Sequence, residues 1–321
     1  MKAVTLVLLA LVADAAAFKF LSNFKAASLI PRPSSMLKRR KAAKVYGDKK
    51  IAVITGASSG LGLQTAAELL GTGEYHVFGA VRDLKKMHAA ARDMDFPDEH
   101  FTALEVELGS FESVRGFCAT LEKEKLNRPI DRLICNAAVY EPSPEPQWTV
   151  DQHLRTLQVN FLSHFLMVSL LLPGLQKSAD PRVILVGGAS AEENVMVYPR
   201  ADLGDLAGLK EGARNPISMI DGLGYTGVKA YKDSKLALSM LSNILHDRYH
   251  KQTGIAFSTA YPGAIADSAL TKGKPPLDTA STGFDTGLVQ AVAQAELQVR
   301  VHVHVHAHVH VHGTCDMCMC M

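Results

Sequence analysis

Between residues 50 and 260, short apolar runs rich in β-branched residues alternate with longer stretches in which apolar positions recur at helical spacing. Runs of the first kind predict strands, and the longer periodic stretches predict amphipathic helices. Alternating strands and helices of these lengths predict an α/β domain built on a parallel, doubly wound sheet. Strands are predicted over residues 50–54, 75–81, 101–106, 131–135 and 183–186, and the longest helices over residues 150–172 and 231–250.

The first predicted strand leads directly into a glycine-rich turn, and a helical pattern follows the turn. In this context glycines let the backbone approach a pyrophosphate, and the helix N-terminus supplies N–H donors. The spacing TGxxxGxG is typical of the Rossmann-type sheet of short-chain dehydrogenases. The predicted phosphate-binding residues are Thr55, Gly56, Ser58, Ser59, Gly60, Leu61 and Gly62.

A basic residue after the second predicted strand indicates which dinucleotide binds. NAD sites usually carry an acidic residue there, which binds the ribose hydroxyls, whereas a basic residue suits a 2′-phosphate. Arg82, with Lys86 on the following helix, therefore predicts NADPH as the cofactor. The alternative interpretation is that Arg82 is a solvated loop residue.

A tyrosine and a lysine four positions apart form the candidate catalytic pair. Tyr231 and Lys235 are predicted to share one face of a helix. An ammonium group beside a phenol lowers the pKa of the phenol, so Tyr231 can exchange a proton with a substrate. Lys235 can also hold the nicotinamide ribose. The polar loop before this helix, about residues 188–227, has a length that usually indicates function.

Several stretches match one particular family more closely than this general pattern. They are CNAAVY at 135–140, DLGDL at 202–206, PISMIDG at 216–222, KAYKDSK at 229–235, TGI at 253–255 and YPG at 261–263. Over residues 49–270 the chain resembles the light-dependent NADPH:protochlorophyllide oxidoreductases, which are short-chain dehydrogenases. The motifs occur in the order that this family has.

The resemblance implies a reaction. Protochlorophyllide, which is itself the photoreceptor, takes a hydride from NADPH and a proton from the enzyme or bound water, and chlorophyllide is formed. Tyr231 is then the donor or organiser of the proton, and Lys235 is its electrostatic partner. The protein positions the reactants and excludes water, while the cofactor carries the hydride chemistry.

The resemblance also implies roles for other polar residues. Asn136 supports the central sheet beside the cofactor, and Asn160 anchors a water relay to the catalytic lysine. For Asn160 the alternative is a helix-packing residue with satisfied hydrogen bonds. Pro262 and Gly263, after the sixth strand, lie at the nicotinamide pocket in this family.

The chain departs from the family pattern at three places. The hydroxyl residue of the superfamily falls at Gly188, with Ser190 displaced by two positions, and Ala264 replaces the family's cysteine. The resemblance fades after Leu270, so the C-terminal part is atypical or truncated. Two alternatives to the reductase therefore stay open: another plastid NADPH-dependent short-chain reductase, and a non-catalytic nucleotide- or pigment-binding paralogue.

The N-terminus has the features of a targeting segment. Residues 1–17 combine Lys2, a short apolar run and small residues, as in a signal peptide, and residues 18–48 are basic and resemble a transit peptide. This combination predicts a bipartite address for a plastid surrounded by extra membranes; the alternative is a secreted protein with a basic linker. The resembled family is peripheral at plastid membranes, and a homo-oligomer is compatible with the sequence.

The charge distribution argues against a nucleic-acid partner. Residues 51–321 carry 23 Lys/Arg and 30 Asp/Glu, a net charge of −7, whereas phosphate backbones are bound by clustered Lys and Arg. Two cysteines, Cys118 and Cys135, lie in apolar runs of the main body and are predicted to be buried free thiols.

The C-terminal tail, residues 271–321, ends in low-complexity sequence. Val and His alternate over residues 301–312, and Cys and Met follow. Six His on one strand face can bind a metal. Both repeats, however, decode from alternating purine–pyrimidine tracts, which favours a misread exon boundary or a disordered tail. No metal site is therefore predicted, and residues 49–270 are taken as the NADP-binding catalytic domain.

Overall fold

The computed structural model describes residues 46–188 and 199–262 of the chain. In these residues a six-stranded parallel sheet has the strand order β3-β2-β1-β4-β5-β6, which confirms the predicted fold class. The strands are β1 (Lys50–Thr55), β2 (Tyr75–Val81), β3 (Phe101–Glu105), β4 (Arg132–Cys135), β5 (Arg182–Val186) and β6 (Ala256–Ala260). The helices are α1 (Gly60–Gly71), α2 (Leu84–Asp93), α3 (Phe111–Glu124), α4 (Arg155–Leu175), α5 (Ala207–Lys210) and α6 (Gly227–Thr253).

Two apolar clusters cover the two faces of the sheet. Strand β1 contributes to both, because successive side chains of a strand point to opposite faces. Ile51 and Val53 pack into the larger cluster, with α3, α4 and α6, while Ala52 and Ile54 pack into the smaller one, with α1. Burial on both faces explains why the strands are continuously apolar and do not alternate with polar residues.

The folded body extends towards the N-terminus at least as far as Tyr46. Its side chain is 6% exposed, its ring makes an edge contact with His76 at 4.7 Å, and its hydroxyl donates to the carbonyl of Glu124. The signal segment and most of the transit-like segment lie outside the described residues. Residue 263 onwards, with Gly263 and Ala264, also lies outside them, and so does Ser190.

Helix α4 begins five residues later than predicted, at Arg155. The preceding residues instead form isolated bridges, Trp148 with Leu154 and His153 with Arg214, which tie this segment to the long loop. Over Gln158–Leu162 the helix widens into a π-turn. In length and composition α4 could cross a membrane, but 78% of its apolar window is buried inside the protein, as expected of a core helix.

Helix α6 begins at Gly227, four residues before the predicted start. A side chain at Gly227 would overlap the carbonyl oxygen of Glu141, so packing requires glycine here although glycine is a poor helix former. The long polar loop also contains the short helix α5, which was not predicted.

The sheet brings the predicted motifs together at the carboxyl ends of its strands. The chain runs outward from β1 through β2 to β3 and then returns, so that β4 pairs with the other side of β1. Loops at the carboxyl ends of the strands diverge at such a reversal, and the crevice between them is where ligands bind in this type of sheet. The glycine turn follows β1, and Asn136 follows β4.

Candidate functional site

The glycine turn has the features of a phosphate-binding site. Gly56 and Gly60 adopt positive φ angles of 70° and 56°, which glycine tolerates without strain. Ser59 precedes α1, but its side chain accepts no hydrogen bond from the N–H groups that begin the helix. The first turn of this helix contains no acidic residue. The first N–H groups and the positive end of the helix dipole can therefore serve a bound anion. The turn fits the pyrophosphate of a dinucleotide.

Gly62 is the tightest position of this turn. A Cβ atom there would lie 2.5 Å from both the carbonyl oxygen of Gly56 and the side-chain amide of Asn136. We expect Gly62→Ala to displace the turn, at a cost typical of overpacking, about 1–3 kcal/mol, and to weaken NADPH binding about 5- to 100-fold. A titration followed by the fluorescence of NADPH measures the change in its dissociation constant.

Gly71, at the other end of α1, provides a matched control. A Cβ atom there meets no atom within 4 Å. Gly71→Ala should leave the NADPH dissociation constant unchanged, since alanine also favours the helix. Equal effects of the two substitutions would contradict the assignment of the turn.

Asn136 braces the turn against β4. Its Nδ2 donates to the carbonyl of Thr55 at 2.9 Å. The backbone N–H groups of Asn136 and Ala137 both donate to Oγ1 of Thr55, at 2.9 and 3.0 Å. The carboxyl ends of β1 and β4 are thereby held together, which is the support that the family resemblance implies for Asn136.

Tyr231 and Lys235 lie on one face of α6, as predicted. Nζ of Lys235 is 5.8 Å from the centroid of the Tyr231 ring and donates to the carbonyl of Val186 at 2.7 Å, at the end of β5. Burial lowers the pKa of Lys235 from 10.5 to about 8. The Tyr231 ring packs edge-on against that of Tyr140, with 5.2 Å between the centroids. The pair can hold and exchange a proton beside a substrate.

Asn160 lies in the π-turn of α4, with all of its side chain hydrogen-bonded. Its Oδ1 accepts from the backbone N–H of Val139 at 2.8 Å. Its Nδ2 donates to the Val139 carbonyl and to Oγ of Ser234, each at 3.0 Å. The side chain thus ties the loop after β4 to α6, in agreement with the packing interpretation.

Lys229 and Asp233, which sequence reasoning did not single out, fasten the long loop to α6. Nζ of Lys229 donates to Asp233 at 2.6 Å, to Asp221 at 2.8 Å and to the carbonyl of Asp202. Asp233 also accepts the backbone N–H of Asp202 at 2.9 Å. Burial raises the pKa of Asp233 to about 6, although Lys229 favours its ionised form.

The loop motifs supplied a signal for this cluster. Asp202 belongs to DLGDL and Asp221 to PISMIDG, while Lys229 and Asp233 belong to KAYKDSK. Because the four residues lie on three separate segments, only the folded structure brings them together. The cluster holds the loop against the helix that carries the candidate pair Tyr231 and Lys235.

The remaining candidate residues are more exposed. The side chain of Arg82 is 67% exposed, and its Nε lies 4.0 Å from Glu107. Lys86 is exposed on α2, where its backbone N–H is capped by Asp83. Pro262 follows β6 and is the last described residue of its segment. Gly188 lies just after β5 and offers no hydroxyl to the site.

The two body cysteines are buried free thiols, as predicted. Burial raises the pKa of Cys118 to about 12 and also raises the pKa of Cys135, so both are protonated. Among the described residues no group of three or more His, Cys, Asp or Glu is arranged to hold a metal ion. The His-rich tail lies outside these residues.

A comparison with protein families places residues 50–199 in the short chain dehydrogenase model. The chain is 45% identical over 233 residues to protochlorophyllide reductase, chloroplastic, of Daucus carota. It is 43% identical over 235 residues to the protein of that name from Chlamydomonas reinhardtii. These alignments cover 70% and 71% of this chain, but only 58% and 59% of the relatives' length.

Solved structures share the fold. An alcohol dehydrogenase from Thermococcus sibiricus, complexed with 5-hydroxy-NADP, superposes with a TM-score of 0.55 at 18% identity, covering 77% of this chain and 90% of that one. A Pseudomonas aeruginosa RhlG/NADP complex superposes with a TM-score of 0.51 at 25% identity, covering 71% and 78%.

Proposed function

We propose, from the premise that this chain belongs to the short-chain dehydrogenases and is similar in sequence to protochlorophyllide reductases, that it reduces protochlorophyllide with NADPH in light. The observation that carries the proposal is the placement of Lys235 beside Tyr231, at the edge of the sheet where the glycine turn lies. The chain spans 58% of the carrot reductase, so the activity of the whole protein is inferred for this chain.

Each part of the site has a task in this reaction. The glycine turn and the N-terminus of α1 would hold the pyrophosphate of NADPH, and Lys235 would hold its nicotinamide ribose. NADPH, when bound, supplies the hydride. Tyr231 provides the proton at its hydroxyl, and the Lys235 ammonium stabilises the phenolate that remains.

The decisive experiment mixes the protein with NADPH and protochlorophyllide in the dark and then applies a flash of light. Chlorophyllide absorbance after the flash supports the reductase. Consumption of NADPH in the dark with a simple carbonyl compound would instead support another short-chain reductase. Binding of the pigment without product would support the non-catalytic paralogue, which the missing hydroxyl at Gly188 favours.

Arg82 is proposed to select NADPH over NADH. It is an exposed cation at the end of β2, at the position that faces the adenosine ribose in sheets of this type. Arg82→Ala removes a charge-assisted phosphate contact, so NADPH binding should weaken by about 1.5–3 kcal/mol, roughly 10- to 150-fold, with little effect on NADH.

Lys85→Ala is the matched control, because it removes an exposed cation three residues away, on α2. The NADPH and NADH dissociation constants of both variants decide the question. An unchanged preference in Arg82→Ala would show that Arg82 is a solvated loop residue, and Lys86→Ala would then be the next variant to measure.

Plastid localisation is also part of the proposal. The relatives are named chloroplastic, and residues 1–17 and 18–48 have the composition of a signal peptide followed by a transit peptide. Residues 1–48 fused to a fluorescent protein should direct it into a plastid surrounded by extra membranes. Secretion of the fusion would support the alternative of a basic linker. In this proposal residues 49–270 form the catalytic domain. Its partner is the pigment, and no nucleic acid takes part.

A further inference from the structure

His164 is a buried imidazole that connects the nucleotide turn to the catalytic side of the site. It lies on α4, one helical turn after Asn160, and is fully buried. Its Nε2 lies 3.0 Å from Oγ1 of Thr55, and its Nδ1 lies 3.0 Å from the carbonyl oxygen of Asn160. The ring therefore bridges the residue that ends β1 and the π-turn of α4.

The hydrogen bonds around His164 determine its tautomer. Oγ1 of Thr55 already accepts the backbone N–H groups of Asn136 and Ala137. A hydroxyl has two acceptor lone pairs and one proton, so Thr55 has only its proton left to donate, and Nε2 must accept it. A carbonyl oxygen can only accept, so Nδ1 must carry the ring proton that it shares with Asn160.

The environment keeps this imidazole neutral. Burial lowers the pKa of His164 to about 4, against the opposing effect of the hydrogen bond to the Asn160 carbonyl, and the positive charge of Lys235 lowers it further. A second ring proton would point at the saturated oxygen of Thr55. His164 therefore acts through fixed hydrogen bonds and does not itself supply the proton of the reaction.

The bond to Asn160 has a specific consequence. The side chain of Asn160 is committed to Val139 and to Ser234, the residue before Lys235, and its main-chain carbonyl lies 3.0 Å from Nδ1 of His164. Nδ1–H of His164 fixes the direction of that carbonyl.

We propose that His164 is a positioning residue that couples the nucleotide turn to the carbonyl of Asn160. Through Nε2 it orients Thr55 and so the start of the glycine turn. Through Nδ1 it orients the backbone of Asn160, whose side chain bonds Ser234 next to Lys235. The expected effect on product formation rests on the proposed function. The expected effect on NADPH binding does not depend on the proposed function.

Two amide substitutions separate the two bonds. In His164→Asn the side-chain amide nitrogen takes roughly the place of Nδ1 and keeps the donor to Asn160, but the acceptor for Thr55 is lost. In His164→Gln the amide oxygen reaches roughly the place of Nε2 and keeps the acceptor for Thr55, but the donor to Asn160 is lost. The readouts are the NADPH dissociation constant and the product per flash for each NADPH-loaded molecule.

We expect opposite patterns in the two variants. His164→Asn should weaken NADPH binding about 3- to 10-fold and leave product per loaded molecule within about twofold. His164→Gln should keep NADPH binding within about twofold and reduce product per loaded molecule about 3- to 10-fold. A purely structural histidine would lower the melting temperature in both variants without separating the readouts, and that result would overturn the proposal.

His76 offers a control of the same chemistry elsewhere in the sheet. It is 3% exposed, and its Nε2 lies 2.9 Å from Oγ1 of Thr102, on the strands remote from α6. His76→Asn and His76→Gln should change stability alone. If they shift the two readouts as the His164 variants do, coupling through His164 is refuted.

Nitrogen NMR of the unsubstituted protein tests the tautomer even if the variants fail to fold. His164 should show a protonated Nδ1 and an unprotonated Nε2 from about pH 5 to about pH 8, without titration. The opposite tautomer, or a ring that titrates in this interval, would exclude the bridge. If no product forms in the unsubstituted protein, the proposed function fails, but NADPH binding and the tautomer still decide the inference.

Discussion

Tyr231→Phe is expected to bind NADPH as tightly as the unsubstituted protein and to form about 10²- to 10⁴-fold less product per flash. The side chain is 5% exposed and its ring packs against Tyr140, contacts that phenylalanine retains. Only the hydroxyl is lost, and with it the group that can deliver a proton while Lys235 stabilises the resulting phenolate.

Tyr249→Phe is the matched control for this prediction. Tyr249 lies on the same helix, is 7% exposed and packs in the core near the far end of α6. Its hydroxyl should be dispensable for product formation. Flash yield and the NADPH dissociation constant are measured for both variants, and undiminished yield in Tyr231→Phe would refute the assigned role.

Lys235→Met is expected to abolish most product formation without destabilising the fold. Lys235 is fully buried, and burial is the cause of its lowered pKa, so the folded protein holds this proton less tightly than the unfolded chain. A fall from 10.5 to about 8 corresponds to about 3 kcal/mol of destabilisation below pH 8, which disappears as the pH rises towards 10.5. A methionine has no charge to bury.

The expected result is therefore a loss of activity with unchanged or higher stability. Product per flash should fall about 10²- to 10⁴-fold, because the phenolate loses its partner. The urea midpoint at pH 7 should be unchanged or higher, because the relieved burial cost of about 3 kcal/mol offsets or exceeds the loss of about 1–3 kcal/mol from the unpaired Val186 carbonyl. In the unsubstituted protein, product formation should decline as the pH rises through about 8, where Lys235 loses its charge.

Burial lowers the pKa of Lys125 too, but Glu122 opposes that effect, so Lys125→Met removes a paired charge and should behave differently. Lys125 is equally buried, but it is paired with Glu122 at 3.1 Å and donates to the carbonyl of Arg128 at 2.7 Å. Removing it leaves these acceptors without their donor, which should cost about 1–3 kcal/mol of stability while product per folded molecule is unchanged. If both lysine variants lose stability equally, Lys235 is a structural residue.

The sequence allowed the sheet to be predicted because its strands are short, apolar and separated by helices with clear periodicity. The limits of β2, for example, are the same in the prediction and in the structure. The starts of α4 and α6 were predicted wrongly, since both depend on contacts between segments. Bridges hold residues 148–154 outside α4, and the approach of Glu141 demands glycine at the first position of α6.

The site was predictable to the extent that it resides in local motifs. The glycine turn and the Tyr231 and Lys235 pair depend on spacing within one element, and spacing is visible in a sequence. His164 depends on Thr55, which is 109 positions away, and the cluster around Lys229 joins three segments. Hydrophobic periodicity does not reveal such long-range pairings, and it does not reveal the π-turn over Gln158–Leu162 either.

The first turns of α6 contain two interleaved pairs on nearly opposite faces. Lys229 and Asp233 hold the loop, while Tyr231 and Lys235 face the sheet edge, and each helical residue advances the direction by about 100°. A single inserted residue between positions 231 and 233 would therefore rotate one member of each pair away from its partner. Point substitutions can change loop attachment and chemistry separately, but insertions and deletions cannot. Length variation during evolution should consequently be absent from residues 229–235.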